Sequence, residues 1–518
     1  MTLTSDAPSR GSVPGAAIAP RRSPYLVAAV AIAVAIGAVL CFYTKSDLWL
    51  DEALSVNVAR LPLSDLFHWL RHDGAPPLYY ILLHFWTSIF GTSAEAVRSL
   101  SGVCAIGAAV AAYYAGRRVS GPATGWVAVL LFVSNPFVAR FATETRMYML
   151  EIALVMCGYL AFMRCLERPS IDRLGVFALI VALSIYNQYW AFYLAIVVGG
   201  MLVWMSWRGA YRDTARRMLL AMAVGGATFI PWLPTFLYQA KHTGTPWGLK
   251  QLPPVPIGKT FSDFAGSTEH EGWVLFFFTI ALLLVGLFGA AIDERRIEMD
   301  LHTRPAARWI AFTLGVGLAL GMSLNYLSGG AFQTRYSSYV FPFWLLLLAH
   351  GFTSFADRRV RVWLLAFMVC VGFIGGVRNS VTNRTEAGKV AAVLRADAKP
   401  GDLVVYCPDQ LGPGVHRLAP SGLHEFSYPS SPKPGVLVDW VDYKKRIAAS
   451  DPVRFAKDVL SQAGDRTIWF VSAPGYRTHV GRCETMSATF AQQRRLTERV
   501  ISDETIFEMP GLQQFSVR

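Results

Sequence analysis

The sequence predicts a polytopic α-helical membrane protein of about eleven transmembrane helices, followed by a C-terminal extracytoplasmic α/β domain. Three observations carry that prediction. Of 518 residues, 53% are hydrophobic and only 16% are charged, against roughly 25% charge in soluble chains. Apolar runs of spanning length recur along the chain, with short basic clusters between them. After about residue 380 the sequence turns polar, with only short apolar runs. A mean hydropathy of +0.37 agrees. So do 15 Trp, 20 Tyr and 32 Phe, since such rings collect at bilayer interfaces.

Residues 1–24 are rich in Ser, Pro, Ala and Gly and read as a disordered cytoplasmic tail ending in Arg21 and Arg22. The apolar run that follows is too long for a signal-peptide core and lacks a convincing cleavage site, so it is expected to stay as an anchor. Spanning segments fall at about 25–43, 96–116, 122–140, 146–163, 174–188, 190–207, 218–237, 273–292, 308–327, 338–355 and 361–377. The short run 76–91 opens with two prolines. Placed as a spanning helix, it puts Arg117 and Arg118 outside and inverts every later basic cluster. Laid along the outer surface, it leaves all the arginine clusters cytoplasmic, from Arg117/Arg118 to Arg358/Arg359/Arg361, as the positive-inside rule requires. The second assignment puts the N-terminus inside the cell. Residues 44–95, the 141–146 corner, the turn near Asn187, the 238–272 loop, 329–337 and everything after about 380 then lie outside. The same clustering accounts for the net charge of +13 without a nucleic-acid partner.

In the terminal segment, 402–407 and 467–473 read as buried strands. Residues 451–464 read as a helix with Asp451 as N-cap, Pro452 at its first position and Gly464 as its stop. Residues 485–500 are a second helix candidate, and the alternation suggests a small Rossmann-like α/β unit without a phosphate-binding glycine fingerprint. The expected domains are thus a 1–24 tail, a 25–379 membrane region and a 380–518 α/β domain. Of seven cysteines, Cys41, Cys104, Cys157, Cys165 and Cys370 read as packing residues. Cys407 and Cys483 are free to pair if their region is extracytoplasmic.

With this topology the polar residues hardest to explain share one side. The first external loop supplies Asp51, Glu52, His72 and Asp73; the FATETRMY corner supplies Glu144, Arg146 and Tyr148; FQTRYSSY supplies Gln333, Arg335 and Tyr336. The long loop adds Lys241, Lys250, Lys259 and Glu269. Each has a structural alternative. Asp51 is placed to cap the EALSVNVARL helix, Glu144 and Arg146 to form a surface ion pair, Arg335 to anchor to headgroups, and His72 to be a solvated loop residue. Convergence of acids and arginines on one face distinguishes the group. Transfer from a lipid-phosphate sugar needs that mixture: a carboxylate takes the acceptor's proton, and guanidinium groups meet the charge growing on the phosphate.

LDEALS, DGAPPLYY, ETRMYML and TRYSSYVFP, in this order and topology, resemble the GT-C glycosyltransferases over about residues 25–355. They are most similar to the branch of protein O-mannosyltransferases and aminoarabinose transferases. The resemblance implies GT-C architecture, a polyprenyl-phosphate sugar donor and inversion at the anomeric carbon. It also implies that Asp51 is the base with Glu52 as the next candidate, and that Arg146, Arg335 and Tyr336 lie near the lipid phosphate. Glu144 and Tyr148 would shape the pocket, with Asp73 and His72 also counted to it. One position departs: relatives often carry Lys or His before the Pro-Pro pair, where this chain has Ala75. No cofactor is implied, and a divalent metal is left open, with none favoured. The expected activity is inverting sugar transfer at the cell membrane from a polyprenyl phosphate to an extracytoplasmic acceptor, which could be an envelope glycan, a lipid or a protein. The alternative is a transporter or flippase of lipid-linked or small solutes. Such proteins usually show internal repeats and midplane charges; this sequence shows no repeat, and its spans are almost free of acids.

Overall fold

Long runs of Leu, Ile, Val, Ala and Phe fold as helices because each then satisfies its own backbone hydrogen bonds, as lipid requires. The computed structural model describes residues 24–208, 211–244, 251–267, 272–330, 332–473, 476 and 479–518. The expectations for residues 1–23, with Arg21 and Arg22, and for Lys250 and Glu269 lie outside the described residues. Five described helices are long and apolar enough to cross a membrane: Ala94–Ser120, Tyr148–Glu167, Arg212–His242, Pro305–Ser328 and Arg358–Val381. Further apolar helices, Pro24–Leu40, Leu78–Phe90, Ala191–Trp207, Gly272–Phe288 and Phe341–Ser354, are shorter.

Several expected spans are interrupted, each for a local reason. The 122–140 run is a pair of helices, Pro122–Val133 and Pro136–Ala142, bent by 62°. Pro136 cannot continue a helix, and Asn135 starts the next one by accepting from the amides of Phe137 at 2.8 Å and Val138 at 3.3 Å. The 218–237 run passes through a 3-10 turn at Ile230–Trp232, where Pro231 removes a donor. The 273–292 run ends its helix at Phe288, and Gly289–Ala291 pairs antiparallel with Ile297–Met299. In the 338–355 run the helix begins only at Phe341, after a 3-10 turn over Thr334–Tyr339. That Phe341–Gly351 helix is buried throughout and forms the centre of the helical core. Small residues let its neighbours approach: a Cβ on Gly286 would stand 3.0 Å from the Leu347 carbonyl oxygen.

Past Val381 a mixed five-stranded sheet forms, in the order His424–Ser427, Leu403–Cys407, Ile468–Ser472, Gly511–Ser516, Arg495–Val500. The first three strands are parallel and the last two antiparallel. Leu403, Val405 and Cys407 face the Pro452–Ala463 and Arg482–Gln493 helices, while Val404 and Tyr406 face the Ala387–Asp397 helix. The capping read from the sequence is present, with Asp451 accepting from Val453 and Arg454. The expected 485–500 helix instead stops at Gln493, and residues 495–500 form an edge strand. Arg495, Glu498 and Arg499 guard that edge with charge. Cys407 and Cys483 form a disulfide.

This C-terminal region docks on the loops between the helices. Asn57 donates to the Val436 carbonyl at 2.7 Å, Arg417 to the Thr92 carbonyl at 2.6 Å, and the Asp442 amide to the His242 carbonyl at 2.8 Å. Residues 44–95, the 141–147 corner, the end of the Leu233–His242 helix and the C-terminal region therefore meet on one side.

Candidate active site

Asp51 and Glu52 open the Leu50–Ala59 helix, and successive helical residues point about 100° apart. That angle separates their fates. Glu52 turns inward, is fully buried and takes Arg98 in a fork, with Nε at 2.7 Å and Nη2 at 2.6 Å. It also accepts from the Thr145 amide at 3.0 Å. Burial pushes its carboxyl upward, but Arg98, Arg384 and the Thr145 amide outweigh that and hold it below its ordinary range. Glu52 thus ties the first loop to the 141–147 corner. Asp51 turns to the open side, where Arg335 Nη2 lies 3.1 Å from Oδ2.

The remaining groups assemble around Asp51. Ser55, one turn on, receives Arg146 Nη1 at 3.0 Å, and the same nitrogen donates to the Tyr80 hydroxyl at 3.1 Å. Tyr80 in turn donates to Asp73 Oδ2 at 2.5 Å. Burial lifts Asp73 above the ordinary carboxylate range, against the pull of Arg146 and Tyr80, with Asp51 adding to the rise. Tyr336 stacks on Trp190, ring centres 5.6 Å apart, and the Arg335 guanidinium lies 5.3 Å over Trp49. Glu144 is fully buried with Arg140 Nη2 2.9 Å away, although neither carboxylate oxygen has an aligned hydrogen bond. Arg146 Nε, Arg335 Nε and the Tyr148 hydroxyl are buried and lack a hydrogen-bond partner. Buried donors without partners are costly, so these mark where an anionic ligand would be satisfied.

The structure thus gathers Asp51, Asp73, Arg146, Tyr148, Arg335 and Tyr336, with Glu144 behind them. It does not bring His72 there. His72 Nδ1 meets Asp439 Oδ1 at 2.9 Å, and its ring stacks on Trp69 at 5.1 Å, at the seam with the C-terminal region. Ala75 uses its carbonyl to accept from Gln239 at 3.1 Å. Sequence reasoning missed Arg98, Ser55, Tyr80 and Glu151. An arginine inside an apolar run was the available signal for Arg98, since such a charge demands a partner. Glu151 is buried one turn below Tyr148, accepting from Asn187 at 2.9 Å. Asp51, Glu52 and Glu144 each face an arginine. Among the described residues, the ligand-type group found elsewhere is Cys407, His479 and Cys483, whose two sulfurs are bonded to each other.

The architecture has solved counterparts. The chain superposes on ArnT from Cupriavidus metallidurans in the apo state with a TM-score of 0.60 at 13% identity, covering 95% of this chain and 97% of that one. On the same protein bound to undecaprenyl phosphate, the TM-score is 0.58 at 12% identity, covering 95% and 98%. The chain has the GT-C glycosyltransferase fold. Residues 74–234 match the model of the dolichyl-phosphate-mannose-protein mannosyltransferase family, so the GT-C resemblance holds in sequence as well over that stretch. Comparison with curated proteins found no match. Within this scaffold the 74–234 stretch contains Tyr80, Arg98, Glu144, Arg146 and Tyr148, while Asp51 and Arg335 lie outside it.

Proposed function

We propose that this chain is an inverting glycosyltransferase that moves a sugar from a polyprenyl phosphate to an extracytoplasmic acceptor at the cell membrane. The observation that carries the reading is a carboxylate, Asp51, set against Arg335, beside the partnerless buried donors of Arg335, Arg146 and Tyr148. An acceptor hydroxyl attacks the anomeric carbon from the side opposite the phosphate and gives its proton to Asp51. The bond from that carbon to the phosphate oxygen breaks, and the charge gained by the leaving phosphate falls to Arg335 and Arg146. With these arginines supplying positive charge, the step calls for no metal or cofactor, and Ala75 needs no basic replacement. An apolar cavity of about 570 Å³ lies between the helices, lined by Val155, Ile185, Ala191, Leu194, Val198 and Trp309 among others, reaching Arg118 and Arg208 and touching none of the site residues named above. It suits a prenyl chain.

The topology that goes with this reading has about eleven spans, reached by counting the bent pair, the Ile171–Asn187 helix and the shorter apolar helices other than Leu78–Phe90, which this reading lays along the outer surface. The N-terminus is then cytoplasmic and the 380–518 region extracytoplasmic, as a domain contributing to the acceptor side. The ArnT structure holding undecaprenyl phosphate and the mannosyltransferase family model both support a lipid-phosphate donor. The test is transfer by the purified full chain from a panel of radiolabelled undecaprenyl-phosphate sugars to a cell-envelope fraction. Wild type is expected to transfer with EDTA present, and Asp51→Asn to be at least 100-fold slower, the scale of a lost general base. Equal rates in the two proteins would sink the assignment of Asp51.

A further inference from the structure

The Leu50–Ala59 helix, which carries Asp51, begins without a side-chain cap of its own: Trp49 precedes it in extended backbone, and only its carbonyl accepts, from the Ala53 amide at 2.9 Å. Its Leu50 amide is instead satisfied from 458 residues away, donating to Glu508 Oε1 at 3.0 Å. Glu508 is only 4% exposed. Its own backbone is pinned, the amide donating to the Arg384 carbonyl at 3.0 Å and the carbonyl accepting from the Glu386 amide at 3.1 Å. Beside it, Phe507 meets Trp49 edge-on at 5.1 Å, and the same Trp49 lies 5.3 Å beneath Arg335, the partner of Asp51. Gly414 seals the seam, since a Cβ there would lie 3.2 Å from the Leu48 carbonyl oxygen and 3.8 Å from Glu508 Oε2.

We propose that Glu508 is a positioning residue for Asp51, capping the Leu50–Ala59 helix from the C-terminal region and so setting how Asp51 faces Arg335 and the acceptor. The proposal rests on the reading of Asp51 as the base. The groups facing Glu508 are the Leu50 amide, Thr385, Tyr476, Asp51 and Glu52. Burial lifts its carboxyl to about 8, and the charges of Asp51 and Glu52 add to the rise. At neutral pH its carbonyl oxygen therefore accepts from Leu50 without placing a second negative charge beside Asp51. Glutamine reproduces that state in shape and charge.

The experiment compares wild type with Glu508→Gln, Glu508→Asp and Glu508→Ala, all as full chains in nanodiscs. Hydrogen exchange is read at the amides of residues 48–58, and transfer is measured with undecaprenyl-phosphate [14C]mannose and a cell-envelope fraction. Glu508→Ala should raise exchange in the first turn roughly fivefold, the size of a lost N-cap. It should lower kcat about tenfold while leaving the donor KM unchanged. Glu508→Gln should restore both. Glu508→Asp, which withdraws the acceptor by one methylene, should fall between them and serves if the Ala variant does not fold. Exchange equal in all four proteins, or a Gln variant as impaired as Ala, would overturn the proposal. Transfer surviving Asp51→Asn would instead remove the reading of Asp51 while the exchange pattern still decided the cap. Loss of transfer in Asp51→Asn with wild-type turnover in Glu508→Ala would overturn positioning alone. With a donor that is not turned over, exchange decides by itself.

Discussion

Asp51 and Glu52 are neighbours with opposite surroundings, and substitutions should separate them cleanly. Glu52 pairs with Arg98 where both are almost fully buried. Glu52→Ala leaves the Arg98 guanidinium buried and unpaired, a loss of about 3–5 kcal/mol. It is expected as a lower thermal unfolding midpoint in detergent together with poor expression. Arg335→Lys keeps a charge opposite Asp51 but not the planar fork. It should retain folding and lose at least about tenfold in transfer rate, since a point charge does not replace two-pronged phosphate recognition. His72→Ala should do the reverse. Its partner is Asp439 in the C-terminal region, so a drop in thermal midpoint with a near wild-type rate is expected. A rate loss larger than the stability loss would return His72 to the site.

Among the elements, the bend between Pro122–Val133 and Pro136–Ala142 decides where the 141–147 corner emerges. Asn135 holds it from both directions, capping Phe137 and Val138 while its Nδ2 donates to the Phe264 carbonyl at 2.9 Å. Asn135→Ala should cost about 1–2 kcal/mol, read as a lower denaturation midpoint, with transfer falling too because Arg146 lies just beyond the second helix. The bend was partly legible: an Asn-Pro pair inside an apolar run is a known break, yet hydropathy alone averages over it. The 485–500 region failed for a related reason. RRLTERV has enough helix formers to extend a helix on propensity, but pairing with Gly511–Ser516 outweighed that preference.

For the molecule as a whole, buried acids predict a pH dependence of stability. Glu508 at about 8 and Asp409 at about 7 are both raised, chiefly by burial. The folded chain therefore holds protons that the unfolded chain, with carboxyl values near 4, releases. Stability falls as pH rises from about 4 to about 8 and levels off above. Glu52 acts oppositely: held below its ordinary value, it stabilises above about pH 4 and loses that contribution as pH falls through its folded value. Thermal midpoints in detergent should thus peak near pH 5 and decline toward pH 8.5. Glu508→Gln is expected to flatten the decline, and an unchanged slope would show that Glu508 titrates normally.

By itself the sequence determined that this chain belongs in a membrane, and which segments carry the acids and arginines gathered at one side. Those properties follow from composition and from charge placed at the ends of apolar runs, which are local quantities. Tertiary structure decided which of two adjacent carboxylates faces the open side, that Arg98 is the inner partner, that His72 serves the seam, and that Glu508 completes the Leu50–Ala59 helix. A helix separates neighbouring side chains by angle, but what waits at each angle comes from elsewhere in the chain. The Leu50–Glu508 hydrogen bond, closed across 458 residues, depends on packing that no local pattern encodes.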